Sequence, residues 1–283
     1  MQIPDRGESA RQLWEAAQQR KKNREQFEAN RPEYENSIRR LMERIQNTLL
    51  VDLQPVPEKS RQGKMMGEAV WRAVYLEDDR VFLKNSEEER QNVSVDLMLD
   101  ASASRMGHEA VIAAQGYVIA ESLTRCHIPV RVSSFCSLSG YTVVTRYRDY
   151  YETDKNDRIF NYFTTGCNRD GLAIRALAKG LEDSPSEHKL VILLSDVKPN
   201  DVIQMNHSGS FVEYAADNGI QNTAMEIRSL TYKGINVMCV FTGNDDDLPA
   251  AHTVYGRNFA RIRSLDQFAD TVGSLIQNQI RSL

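Results

Sequence analysis

Apolar residues recur at helical spacing through the first fifty residues of the chain. The residues that carry this pattern are spaced mostly three or four apart: Leu13, Trp14, Ala17, Phe27, Ile38, Leu41, Ile45 and Leu49. Such spacing places them on one face of a helix, and Pro32 suits the first turn of a second helix. The pattern predicts helices over residues 8–29 and 32–50. The proline-containing segment 54–57 interrupts it and indicates a linker.

The pattern changes twice further along the chain. Residues 66–77 predict a short helix, 80–84 a short edge strand, and 86–91 a charged, exposed run. From residue 92 onwards, short apolar runs alternate with helical patterns. The predicted strands cover residues 93–99, 129–135, 141–146, 189–194, 235–241 and 258–262, and the predicted helices cover 109–126, 172–181, 222–232 and 266–280.

This alternation predicts an α/β fold with three layers, similar to a Rossmann fold, around a mostly parallel central sheet. Ser139 and Gly140 lie between two adjacent strands and predict a tight hairpin, which supplies one antiparallel edge strand. An N-terminal helical arm precedes the sheet. The predicted division is a helical region at 1–62, a short helix and strand at 63–91, and the α/β domain at 92–283.

Composition narrows the function classes. The 283 residues carry a net charge of −4, with a pI near 5.8, so nothing indicates nucleic-acid binding. No apolar run approaches the roughly 20 residues that span a bilayer, so membrane insertion is not expected. The first thirty residues lack the apolar segment of a secretory signal. The four cysteines are scattered without metal-ligand spacing. We therefore expect reduced thiols in a cytoplasmic protein, and no zinc site.

Oxygen-bearing side chains follow two of the predicted strands. Asp100, Ser102 and Ser104 lie directly after strand 93–99, and Asp196 follows strand 189–194. Loops at the carboxyl ends of neighbouring parallel strands lie at one edge of a sheet, and Mg²⁺ prefers six oxygen ligands. Two hydroxyls bound directly and two carboxylates bound through water would leave the ion able to recruit a partner's carboxylate. Serine and aspartate are also common in turns and at helix N-caps, which is the alternative explanation. We expect Asp196 to matter more for ion affinity than for folding.

A third loop, residues 164–171, precedes a predicted helix and carries further polar groups. Asp170 is a candidate ligand, but it could equally cap the helix that follows. The acidic run 245–247 could form a second cation site, although a solvated loop is the simpler interpretation. His108 lies close to the first loop and is interpreted as a residue at a helix start. We expect His207 to lie on a flexible loop at this edge and to contact a partner.

Three segments, taken in order, resemble a known family: residues 97–104, 168–175 and 193–201. They look like the von Willebrand factor A (VWA) domain of nitric-oxide-reductase activation proteins of the NorD type, and the cobalt-chelatase subunit CobT has a similar domain. The segments Thr223–Arg228 and Gly234–Val237 also fit. The resemblance covers roughly residues 63–283.

The resemblance implies a metal-ion-dependent adhesion site (MIDAS) that binds Mg²⁺ or Mn²⁺. Asp100, Ser102, Ser104 and Asp196 match its motif. Asn168 stands where a threonine is usual, with Asp170 two residues further on, and an asparagine carbonyl can also coordinate a hard cation. Thr164 or Thr165 could serve instead. Val197 stands where a glycine is common.

The resemblance further implies a non-enzymatic, metal-dependent binding module. Such proteins act with a MoxR-type AAA+ ATPase to activate or metallate a client metalloenzyme. The alternative is a Mg²⁺-dependent phosphohydrolase that uses Asp100 as its nucleophile. That chemistry needs a second aspartate two residues later as general acid, and Ser102 occupies this position. A nucleotide-binding fold has little support, because the chain has no glycine-rich phosphate-binding motif.

Overall fold

The structure is a computed structural model, and it describes residues 7–52, 57–76, 78–85, 93–207, 209–262 and 265–281. The predicted charged run 86–91, and the predicted linker 54–57 except for Pro57, lie outside these residues. The chain divides into two compact units: residues 1–46 together with 93–283, and residues 47–92. This division differs from the one predicted from sequence, because the first helices belong to the same unit as the α/β domain.

The N-terminal helices lie within two residues of the predicted bounds, with α1 at Gly7–Ala29 and α2 at Arg31–Asp52. Their apolar face is buried: Ile38, Leu41 and Ile45 are fully covered. Phe27 packs against Phe160 at a ring-centroid distance of 5.1 Å. These contacts join the helices to the α/β domain.

The second unit contains a small antiparallel sheet. Its strands are β1 at Pro57–Ser60, β2 at Lys64–Met65 and β3 at Phe82–Asn85, in the order β1-β3-β2. A 3₁₀ turn at Gly67–Ala69 and helix α3 at Val70–Tyr75 lie between β2 and β3. The predicted short helix and edge strand are therefore present in this unit, and β1 and β2 were not predicted.

A six-stranded sheet forms the centre of the first unit, in the order β11-β10-β7-β4-β5-β6. Its strands are β4 at Val93–Asp100, β5 at Val130–Leu138, β6 at Tyr141–Arg148, β7 at His188–Ser195, β10 at Ile235–Phe241 and β11 at Phe259–Arg261. All neighbouring pairs are parallel except β5 and β6. The predicted α/β fold with one antiparallel edge strand is confirmed.

Helices accompany this sheet in alternation with the strands. They are α4 at Glu109–Arg125, α5 at Asp170–Gly180, α6 at Ala216–Tyr232, α7 at Leu248–Tyr255 and α8 at Leu265–Arg281. Every residue of β4 is buried, as a strand covered on both faces requires. The parallel register pairs Leu99 with Leu194 and Phe241 with Ser195. The carboxyl ends of β4, β7 and β10 therefore lie side by side.

The segment after β7 is a hairpin, where the sequence led us to expect a flexible loop around His207. Strand β8 covers Asp201–His207 and strand β9 covers Ser210–Tyr214, paired antiparallel. Gly209 has a φ of 88° in the connection, a conformation that glycine adopts without steric cost. The predicted loop is therefore part of a strand hairpin, because backbone pairing of β8 with β9 extends to His207, the last residue of β8.

Candidate metal centre

The Asp100 carboxylate lies at the end of β4 and is fully buried. Its Oδ1 accepts a hydrogen bond from the Ser102 backbone N–H at 3.0 Å. Its Oδ2 accepts one from the Ser195 hydroxyl at 3.1 Å. The first bond is a local turn within the loop, and the second reaches the neighbouring strand β7. Together they fix the orientation of the carboxylate.

The two serine hydroxyls of the first loop lie together. The Oγ atoms of Ser102 and Ser104 are 2.9 Å apart, and a short 3₁₀ turn at Ala103–Arg105 brings them to the same side. The backbone N–H of Ala103 donates to the Gly166 carbonyl at 2.9 Å, which ties this loop to the third loop. Ser102 is buried and Ser104 is exposed, so the pair runs from the interior to the surface.

The third loop brings Asn168 and Asp170 to Asp100. Asn168 Nδ2 donates to Asp170 Oδ1 at 2.9 Å and lies 3.5 Å from Asp100 Oδ2. The Asn168 carbonyl oxygen Oδ1 accepts from the Asn200 N–H at 3.1 Å. Asp170 is the first residue of α5, and the cap position is Arg169, so Asp170 does not serve as the N-cap. Asp170 Oδ2 is buried without a hydrogen-bond partner among the described residues.

The threonines of the same loop have other partners. Thr164 Oγ1 donates to Glu109 Oε1 at 2.7 Å, and Glu109 is itself buried at the start of α4. The Thr165 backbone N–H donates to the Ala101 carbonyl at 2.8 Å. Among the third-loop candidates, the structure therefore joins Asn168 and Asp170 to Asp100, while the Thr164 hydroxyl is engaged by Glu109.

Asp196 follows β7 and is fully buried. Its Oδ1 accepts from the Lys198 N–H at 3.3 Å, and its Oδ2 forms an ion pair with the guanidinium of Arg105. This ion pair gives Asp196 a structural contact in addition to the role in affinity expected from sequence. Val197 has a φ of 57°, the left-handed region that disfavours β-branched residues. A glycine at this position would adopt the same backbone conformation without strain.

Burial and mutual repulsion define the electrostatics of the site. Burial, and then the negative charge of Asp196, raise the pKa of Asp100 to about 6. Burial, together with the charges of Asp100 and Asp196, raises the pKa of Asp170 well above its ordinary value. A carboxylate that is deprived of water and placed beside like charges is favoured in its neutral form. The site therefore favours an added positive charge.

The donor set fits a hard divalent cation. It combines hydroxyl, amide and carboxylate oxygens, which Mg²⁺ and Mn²⁺ prefer, and the buried Asp170 Oδ2 has no hydrogen-bond partner within the described residues. Within the described part of the chain, no group of three or more His, Cys, Asp or Glu side chains has the geometry of a metal cage. The arrangement is thus a mixed hydroxyl and carboxylate site rather than a carboxylate cage.

The sequence did not reveal three residues of this site. Arg105 directly follows Ser104, Ser195 directly precedes Asp196, and Thr242 follows β10. Adjacency to the predicted ligands was the signal available for Arg105 and Ser195. Thr242 carried no such signal, because its place depends on β10 lying next to β7.

Two other sequence candidates lie elsewhere. In the acidic run, Asp245 pairs with Arg261, and Asp247 pairs with Lys198 at 2.8 Å. These counter-ions account for two of its three carboxylates without a cation. His108 is exposed immediately before α4, as expected for a residue at a helix start.

The fold and its edge of oxygen donors define a VWA-type domain. The family model described as the CobT cobalamin biosynthesis protein VWA domain matches residues 81–153, which contain the first loop of the site. The chain therefore carries a VWA domain.

Solved structures of other proteins share this fold. The vWF domain of the pili tip protein Mfa5 from Porphyromonas gingivalis matches with a TM-score of 0.51 and 9% identity, over 67% of this chain and 95% of that one. A mutant of the minor pilin PilB from Streptococcus sanguinis gives 0.53 and 12%, over 69% and 62%. The pilus adhesin SpaC from Lactobacillus rhamnosus GG gives 0.50 and 14%, over 68% and 30%. This chain thus spans about a third of the length of SpaC. Comparison with curated proteins gave no match.

Two further findings concern membrane-spanning helices and the cysteines. Within the described residues, none of the helices is long and apolar enough to cross a membrane. The four cysteines, Cys126, Cys136, Cys167 and Cys239, are free thiols.

Proposed function

We propose that this chain is a protein-binding module that depends on a divalent cation, Mg²⁺ or Mn²⁺, held at a MIDAS-type site. The observation that carries the proposal is the group of buried carboxylates of Asp100, Asp170 and Asp196 at one sheet edge, beside paired serine hydroxyls. A buried carboxylate without a counter-ion is costly. A bound divalent cation offsets that cost for more than one carboxylate at a time.

Each residue has a distinct part in the proposed site. Ser102 and Ser104 would supply neutral oxygens, and Asp100 and Asp196 would supply negative charge. Asn168 or Asp170 would complete the set from the third loop. Since hydroxyls leave the ion with positive charge in excess, it would accept a carboxylate from a partner protein. Ser104 is exposed, which places this side of the site within reach of a partner.

The finer proposal concerns the partners. We propose that the module acts with a MoxR-type AAA+ ATPase to activate or metallate a client metalloenzyme, in the manner of nitric-oxide-reductase activation proteins, and that it does so in the cytoplasm. The support is the sequence resemblance at residues 97–104, 168–175 and 193–201, together with the CobT VWA domain match over residues 81–153.

We propose that the site binds a partner protein and does not catalyse hydrolysis. The alternative, a phosphohydrolase with Asp100 as nucleophile, needs an acid two residues further on, and Ser102 cannot supply that proton at neutral pH. The Asp100 carboxylate is also fully buried and hydrogen-bonded to Ser195. An assay with a generic phosphate ester and Mg²⁺ separates the two functions, because turnover that is lost in Asp100→Ala would contradict a binding role.

Titration calorimetry with Mn²⁺ and Mg²⁺ tests the ion site directly. We expect saturable binding by the full chain that is lost in Asp100→Ala. Asp246→Ala is the matched control, because Asp246 is an exposed carboxylate in the nearby acidic run, and it should bind the ion as the parent does. Lack of Mn²⁺ binding by the parent chain and by Arg105→Gln, a variant that removes a positive charge beside Asp196, would rule out the site.

The partner proposal needs its own measurement. A purified MoxR-type ATPase is mixed with the full chain in Mg²⁺ or in EDTA, and complex formation is followed by analytical ultracentrifugation. We expect a complex in Mg²⁺ that dissociates in EDTA and fails to form with Asp100→Ala. A complex that is indifferent to both changes would contradict ion-dependent binding of this partner.

A further inference from the structure

Arg105 places a positive charge inside the candidate metal centre. The residue ends the short 3₁₀ turn of the first loop and is 7% exposed. Its guanidinium forms the ion pair with Asp196 Oδ2. Its Nε also lies 3.4 Å from the Ser104 hydroxyl. An arginine remains protonated in proteins, so this charge is permanent.

The atoms that Arg105 contacts are atoms that the proposed ion requires. Ser104 Oγ is one of the paired hydroxyls, and Asp196 is the carboxylate contributed by β7. A carboxylate oxygen engaged by a guanidinium is less available to an ion or to the water around it. The two cations also repel each other at short range in a site of low effective dielectric constant.

A second set of contacts, to Thr242, holds the guanidinium in place. Arg105 Nη1 donates to the Thr242 carbonyl at 3.0 Å and to the Thr242 hydroxyl at 3.3 Å. Thr242 follows β10, so these contacts do not depend on the carboxylate of Asp196. The positive charge therefore stays at the sheet edge even when the bond to Asp196 is weakened.

Resting on the proposed function, we propose that Arg105 is a resident cation that competes with the divalent ion for Asp196 and Ser104. It thereby sets the affinity of the site. In the absence of the ion, Arg105 neutralises part of the buried negative charge and keeps the site folded. When the ion binds, Arg105 gives up Asp196 and the Thr242 hydroxyl and keeps its hydrogen bond to the Thr242 carbonyl.

Mn²⁺ titration of Arg105→Gln tests this competition, with calorimetry and the Mn²⁺ EPR signal as readouts. Glutamine removes the charge and keeps a donor for the Thr242 carbonyl. We expect Mn²⁺ to bind this variant about tenfold or more tightly than the parent chain, because a close like charge is removed. Arg175→Gln is the control, since it makes the same charge change at an exposed ion pair with Glu226, and it should bind as the parent does.

The outcomes distinguish the two proposals. Equal or weaker Mn²⁺ binding by Arg105→Gln would overturn the competition while leaving the ion site intact. Absence of binding in the parent chain and in Arg105→Gln alike would overturn both. Binding by Arg105→Gln with none by the parent would support both, because the resident charge then blocks the site.

A second variant covers the case in which Arg105→Gln does not fold, as judged by circular dichroism and thermal unfolding. Thr242→Val removes the hydroxyl contact and retains the arginine and the carbonyl. Because the hydroxyl contact is made only in the ion-free state, its loss should tighten Mn²⁺ binding by about two- to fivefold, the equivalent of part of one hydrogen bond. Unchanged or weaker binding by a folded Thr242→Val would overturn the proposal.

Discussion

Strand β4 carries two buried aspartates, four residues apart and on the same face, whose surroundings differ. Asp96 lies in the middle of the strand and is paired across the sheet with Arg131, whose Nε donates to Asp96 Oδ1 at 2.6 Å. The Tyr150 hydroxyl donates to Asp96 Oδ2. Asp100 lies at the end of the strand, where the charge of Asp196 raises its pKa, and Asp100 and Asp196 together raise the pKa of Asp170.

The difference lies in the charges that surround each carboxylate. Burial raises the pKa of Asp96, but Arg131 and the Tyr150 hydrogen bond act against that rise. Arg131 is itself held by the Gly180 carbonyl at 3.0 Å. At Asp100, burial and the neighbouring negative charge of Asp196 raise the pKa together, and the Ser102 hydrogen bonds and the Arg105 charge offset only part of the rise. A protein tolerates such an arrangement where an additional cation stabilises it, and this distinguishes the sheet edge from the sheet interior.

The largest effect is expected from Asp96→Asn. The change leaves the Arg131 guanidinium buried without a charged partner and should lower the free energy of unfolding by about 3–5 kcal/mol. Denaturant unfolding at pH 7 in EDTA measures the loss. The double variant Asp96→Leu with Arg131→Met removes both charges and should recover most of it. If Asp96→Asn were as stable as the parent, the pair would not be structural.

Asp100→Asn should stabilise the protein in the same denaturant unfolding assay, in contrast to Asp96→Asn. Because the pKa of Asp100 is raised to about 6, the charged form is disfavoured in the native state. Removing that charge should raise the free energy of unfolding by about 1–3 kcal/mol at pH 7 in EDTA. The folded parent chain binds the Asp100 proton more tightly than the unfolded chain does. Ionising Asp100 therefore costs the parent more stability as the pH rises from the unfolded pKa to the folded pKa. The gain should therefore vanish below about pH 4. A destabilised Asp100→Asn would show that Asp100 is structural, like Asp96.

The same raised pKa predicts that protons compete with the ion. Mn²⁺ binding requires the ionised Asp100, whose pKa is about 6 in the ion-free protein. Affinity should therefore fall by about tenfold per displaced proton between pH 7 and pH 5. Calorimetry in buffers of different ionisation enthalpy also counts the released protons. A flat pH profile would mean that the ion does not contact Asp100.

The smallest expected effect on Mn²⁺ affinity, that of Thr164→Val, tests which residue of the third loop is the ion ligand. Thr164→Val should leave Mn²⁺ affinity within about twofold of the parent and cost about 1 kcal/mol of stability, since the hydroxyl is bonded to the buried Glu109. Asn168→Ala should lower the Mn²⁺ affinity by more than Thr164→Val does, because Asn168 contacts both Asp100 and Asp170. The reverse order of affinities would assign the ligand to Thr164.

Local sequence was enough to predict the fold and the outline of the site. The continuous apolar run of β4 and the tight turn at Ser139 and Gly140 depend on neighbours in the chain, and both are present in the structure. The position of Asp100 at the end of β4, with Ser102 and Ser104 in the loop that follows, comes from the same local pattern, as does the place of Asp196 directly after β7.

Only the tertiary structure decided which groups meet. The order of β10, β7 and β4 brings Thr242 and Asp196 to Arg105, and the third loop brings Asn168, rather than Thr164, to Asp100. The packing of Phe27 on Phe160 joins the first helices to the domain. Turns and strand periodicity arise from residues a few positions apart, so one sequence contains them. Contacts between distant loops depend on strand order and side-chain packing, which become definite only when the whole sheet has assembled.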